Sequence, residues 1–106
     1  MSQNWTDAAE GVVTKPETRE KIDKPRLWKV LLHNDNYTTM DFVVTILVSV
    51  FHKSEFEAIR IMYDVHRKGI GMVGVYTREI AESKVKRVLE LAQQAQFPLM
   101  CTMEPE

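Results

Sequence analysis

MDFVVTILVSVF, residues Met40 to Phe51, is the stretch whose reading decides the fold. Its Val and Ile content suits a strand on propensity alone, because branched and aromatic side chains fit a pleated surface. Two features predict a helix instead. Thr38 followed three residues later by Asp41 resembles a capping box with Asp in place of the usual Glu, and Met40, Val43, Leu47 and Phe51 recur at helical spacing. Read as a helix, the stretch leaves only three strands in the chain.

Upstream, LWKVLLH (Leu27 to His33) is a short apolar run with branched and aromatic content, bounded by Pro25, and reads as a strand. Asn34, Asp35 and Asn36 end it. Such side chains bond nearby backbone groups and suit a turn, and they also form a cluster of acceptors able to meet a cation. Downstream, Ser54 and Glu57 form an S-x-x-E box ahead of the stripe Ala58, Met62, Val65 and His66. Arg67 and Lys68 suit the last turn of that helix, and Gly69 can stop it. IGMVGVY, from Ile70, reads as a strand in which Gly71 and Gly74 either weaken pairing or permit close approach of another backbone. Thr77 can cap a third helix with Glu79 in its first turn and Ala81, Val85, Val88, Ala92 and Ala95 along one face; Pro98 ends it and LMCTM supplies the last strand. The order β-α-α-β-α-β predicts an α+β domain, a three-stranded antiparallel sheet packed on three helices.

A chain of 106 residues suits one domain with one modest core. Residues 1–25 lack a hydrophobic period and mix charges of both signs, so they read as a mobile extension with Trp5 its one large aromatic; residues 26–106 form the core domain. The longest apolar passage, FVVTILVSVF, is about half the length of a membrane span, and the N-terminus lacks the pattern of a secretory signal. No membrane association is expected. A net charge of -1 argues against a generic nucleic-acid binder, whose affinity rests on neutralising phosphates. The single Cys101 cannot form an internal disulfide and fits a reducing compartment.

Little in the sequence suggests catalysis. His33, His52 and His66 have no Cys or carboxylate at a recognised metal-ligand spacing, phosphate-binding and dinucleotide motifs are missing, and no cofactor is expected. Cys101, His66 and Asp35 can be drawn as a nucleophilic triad only on paper, without a motif to support it. By periodicity His66 is a structural histidine at the edge of an apolar helix face. Its neighbours Met62 and Val65 change that reading: if the first strand brings the Asn34 cluster beside them, apolar walls and several acceptors converge.

The passages VLLHNDNYTTMDFV, AIRIMYDVHRKG, GVYTREIAESKV and FPLMCTME together resemble the ClpS family, the small adaptors of the Clp protease, from about Leu27 to Met103. The resemblance implies a non-enzymatic module that binds protein substrates through a large hydrophobic N-terminal residue, such as Leu, Phe, Tyr or Trp. It implies delivery to a ClpA-type AAA+ unfoldase for degradation by ClpP, and a cytoplasmic location. By the same resemblance, Asn34 and His66 receive the substrate's α-amino group, with Asp35 and Asn36 adjoining. Thr38, Met40, Val43, Ile46, Met62, Val65 and Leu99 match the lining of a side-chain pocket in which Met40 is the gatekeeper against branched residues. Tyr76, Glu79 and Lys84 fall where the family meets the unfoldase's N-terminal domain, and residues 1–25 correspond to the extension needed for delivery.

The chemistry agrees with that mapping. An N-terminal ammonium has three donors and no acceptor, so its recognition needs an amide oxygen, a neutral imidazole nitrogen or a carboxylate around it. Burying one large side chain contributes roughly 1.5 to 3 kcal/mol, which selects a class rather than an identity. Two positions depart from the family pattern: Asn36, usually acidic, and Thr39, usually proline. The first removes a charge that would attract the ammonium; the second is expected to loosen the start of the helix. The competing reading is a protein-interaction domain similar to the ribosomal stalk protein's C-terminal domain, docking a partner without reading N-termini.

Overall fold

The structure, a computed structural model, describes residues 24–106. The extension expected at residues 1–25 lies outside the described residues except for Lys24 and Pro25. The elements follow in the expected order: β1 (Leu27–His33), α1 (Met40–Ser49), α2 (Glu55–Lys68), β2 (Ile70–Thr77), α3 (Arg78–Ala95) and β3 (Met100–Pro105). β1 is the central strand, antiparallel to β2 on one side and to β3 on the other. Alternation along the strands sends Val30, Leu32 and Cys101 into the core. The opposite face carries polar pairs, a Lys29–Glu104 ion pair at 3.3 Å and a His33 Nε2 to Thr102 Oγ1 hydrogen bond at 2.8 Å. A sheet with one face open to water is expected to divide in this way.

The register of β1 against β2 slips between Val30, opposite Gly74, and Leu31, opposite Met72. Val73 is the extra residue of this bulge, and its side chain is buried. Of the two roles the sequence left open for Gly71 and Gly74, close approach is the one seen, and the tightest contacts are with side chains. A Cβ on Gly71 would lie 2.6 Å from Val65 Cγ2, and one on Gly74 would lie 2.5 Å from the Tyr76 hydroxyl oxygen.

MDFVVTILVSVF is a helix, but its start and end differ from expectation. The cap is Thr39, not Thr38: its Oγ accepts from the Phe42 N–H at 3.1 Å. Thr39 therefore anchors the start of α1 where its replacement of proline was expected to loosen it. Its φ of -75° is one that proline also adopts. The helix stops at Ser49, and Val50 and Phe51 enter the core from the turn that follows. Thr45 and Ser49 hydroxyls donate to the carbonyls of Asp41 and Thr45, back-bonding that weakens a helix rich in branched residues. Burial of Val43, Ile46 and Leu47 offsets this cost and overrides the strand propensity.

Half of the second capping box forms. Ser54 Oγ accepts from the Glu57 N–H at 3.2 Å, while the Glu57 carboxylate turns to Arg60. α2 ends as expected at Gly69, whose left-handed φ of 86° lets its N–H reach the Val65 carbonyl at 2.9 Å. Thr77 occupies the cap position of α3 without a side-chain hydrogen bond. That helix ends at left-handed Gln96, two residues before Pro98, which leaves Ala95 exposed rather than on the buried face with Ala81, Val88 and Ala92. One core cluster joins the helices and the sheet.

Candidate functional site

The loop after β1 is fixed at both ends. The Asn34 N–H donates to the Gly69 carbonyl at 2.9 Å, which ties the exit of β1 to the end of α2 and brings Asn34 to the helix turn carrying His66. Asp35 then shapes the loop. Its Oδ1 accepts from the Tyr37 N–H at 2.8 Å and the Thr38 N–H at 2.7 Å, and its Oδ2 accepts from the Thr38 hydroxyl at 2.7 Å. Partial burial pushes the Asp35 pKa up, but these three hydrogen bonds outweigh it and hold the carboxyl below its ordinary value. A carboxylate offers about four lone-pair sites, so the loop leaves Asp35 about one further acceptor position.

A pocket of about 230 Å³ opens between this loop, α1 and α2. Its polar rim is formed by Asn34, Asp35, Asn36, Thr38 and His66, and its apolar wall by Met40, Val43, Met62 and Val65. All of these positions were singled out in the sequence, where the Asn34–Val43 group and the Met62–His66 group lie well apart along the chain. Val43, Met62 and Val65 are buried, Met40 is 42% exposed at the edge, and Asn34, Asn36 and His66 are exposed. Ile46 and Leu99, assigned to the lining by the resemblance, lie instead in the core cluster at 1% and 4% exposure and do not line the pocket. Gly71, whose role the sequence left open, holds the space into which Val65 packs.

The volume falls below the roughly 300–1,000 Å³ typical of sites for drug-sized ligands and suits one large side chain. The acceptor-rich rim suits a cation at the mouth. Cys101 is buried in β3, outside the pocket, and burial pushes its thiol up to about 12, so the paper triad is not assembled. No group of three or more candidate metal ligands occurs among the described residues, and no helix there is long and apolar enough to cross a membrane.

Tyr76, Glu79 and Lys84 lie outside the pocket lining. Glu79 is exposed in the first turn of α3. Lys84 Nζ donates to the Val50 carbonyl at 2.8 Å and sits 5.7 Å from the Phe51 ring centroid and 5.5 Å from that of Tyr76. It thus fastens α3 to the turn after α1. Burial raises the Tyr76 phenol above its ordinary value.

Sheet, helices and slot together define a small binding module that admits one apolar side chain beneath a rim of hydrogen-bond acceptors. Residues 23–102 match the family described as "ATP-dependent Clp protease adaptor protein ClpS". The chain is 55% identical over 98 residues to an ATP-dependent Clp protease adapter protein ClpS of Acetivibrio thermocellus, covering 92% of this chain and 99% of the relative. It is 58% identical over 86 residues to that of Lawsonia intracellularis, covering 81% and 79%. The structure of Agrobacterium tumefaciens ClpS2 bound to L-phenylalaninamide superposes with a TM-score of 0.76 at 47% identity, covering 78% of this chain and all of that one. The chain belongs to the ClpS family of Clp protease adaptors.

Proposed function

We propose that this protein binds polypeptides by a large hydrophobic N-terminal residue and hands them to a ClpA-type AAA+ unfoldase for degradation by ClpP in the cytoplasm. The observation that carries the reading is the pocket itself: one-side-chain volume, an apolar wall, and acceptors gathered at the mouth. The L-phenylalaninamide bound by the Agrobacterium relative supports it, because that molecule is a large hydrophobic residue with an unblocked amino group.

In this reading Asn34 and His66 accept from the α-ammonium, Asn36 contributes its amide oxygen, and Asp35 chiefly holds the loop that presents them. Met40, Val43, Met62 and Val65 receive the side chain. Flexible Met40 and Met62 let one slot take aliphatic and aromatic residues, while a branch at Cβ meets Met40. Ile46 and Leu99 set the depth of the slot from behind. Tyr76, Glu79 and the α3 surface around Lys84 meet the unfoldase, and residues 1–25 serve delivery. The test is a degradation assay with ClpA, ClpP and a Phe-initiated reporter. Addition of this protein should accelerate loss of that reporter and leave a Ser-initiated one unaffected; equal rates with and without it would refute the proposal.

A further inference from the structure

Beside the pocket lies a second depression of about 460 Å³ between α1 and α2. Met40 and Met62 line both cavities, so the two adjoin at these side chains. The rest of its apolar wall is Val44 from α1 with Ile59 and Tyr63 from α2, the last two left 40% and 44% exposed. Asp41 and Glu55 add negative charge at its margin. We propose that this groove takes the third residue of the polypeptide whose first residue fills the pocket, and favours a large apolar side chain there.

This rests on the N-terminal-residue reading above. A slot sized for one side chain cannot hold the rest of the polypeptide, which must leave across the rim. In an extended chain successive side chains alternate, so the third returns to the face of the first about 7 Å further on. Continuity through Met40 and Met62 places an apolar surface beside the pocket, and the methionines can adjust to the side chain that crosses them. The carboxylates of Asp41 and Glu55 disfavour an acidic occupant. Ile59 and Tyr63 do not line the pocket, so the groove can be altered without touching it.

The test uses the full chain and labelled peptides beginning Phe-Ser-Leu, Phe-Ser-Ser and Phe-Leu-Ser, with phenylalanine amide as a competitor too short to reach the groove. Leu at the third position should bind about three- to ten-fold tighter than Ser, a gain absent when Leu stands second. In the double variant Ile59→Ser, Tyr63→Ser that gain should vanish while the amide competes as before; if the double variant loses the amide, Ile59→Ser alone carries the same comparison. Equal affinity for the three peptides, or a gain that persists in the variant, overturns the groove while the amide still binds. Failure of the amide to bind the unaltered protein overturns the pocket reading, and the groove with it.

Discussion

At the residue scale, Asp35 and Asn36 divide the work of the loop. Asp35→Ala removes three hydrogen bonds that organise residues 35–38 and should cost about 1 kcal/mol or more of stability in urea denaturation, as expected when backbone N–H groups lose a side-chain acceptor. Because its folded pKa is depressed, the Asp35 contribution is fully present above the ordinary value of 3.8 and is lost as pH falls through the lower folded value. The gap between the unaltered protein and Asp35→Ala should therefore close only in that acid window. Asn36 is exposed at the rim. Asn36→Asp adds a charge facing the ammonium and should tighten peptide binding by about two- to ten-fold at low salt, with most of the gain lost near 1 M salt. An unchanged affinity would remove Asn36 from the recognition set. His66 stands on the same rim, and His66→Ala should weaken peptide binding; an unchanged affinity would remove it from the recognition set as well.

At the scale of elements, the close pairing of β2 with α2 sets the pocket wall. Gly71→Ala drives a Cβ against Val65 and should cost about 1–3 kcal/mol of stability together with peptide affinity, since Val65 lines the pocket. Adding Val65→Ala makes room for the new methyl and should restore part of the stability, an interaction that a double-mutant cycle would measure. Full additivity of the two substitutions would show that the contact does not matter. Order and type of every described element were legible in the sequence, because the stripe of α2 and the bounds of β1 are strong periodic signals. The ends of elements were not. Thr38 and Thr39 are both capable caps, and the choice between them is made by Asp35, which takes the Thr38 hydroxyl into the loop. α3 stops at Gln96 because a left-handed residue there lets its N–H reach the Ala92 and Gln93 carbonyls, a conformation no residue-type rule assigns to glutamine.

At the scale of the whole molecule, the pocket polar rim and wall were legible as residues, through the family resemblance and the chemistry of an ammonium, but their convergence is made by long-range contacts: β1 pairing with β2, α1 packing on α2, and the bond from the Asn34 N–H to the Gly69 carbonyl. Ile46 and Leu99, which the resemblance assigned to the lining, lie in the core cluster: matching a residue to a family position does not say whether its side chain meets the cavity or the core behind it. The described elements and the pocket lining lie within residues 24–106. Removing residues 1–23 should thus leave peptide affinity within about two-fold and the melting transition cooperative, while abolishing delivery to the unfoldase. Loss of peptide binding on that truncation would place part of the recognition site in the removed segment.

The central claim, that an unblocked N-terminal ammonium and a large unbranched side chain are read together, is tested most directly by fluorescence anisotropy with three peptides identical beyond their first position. The Phe-initiated peptide should bind, and its N-acetylated form and the Val-initiated version should each bind at least about ten-fold more weakly. Equal binding of all three, or binding of none, would contradict the account.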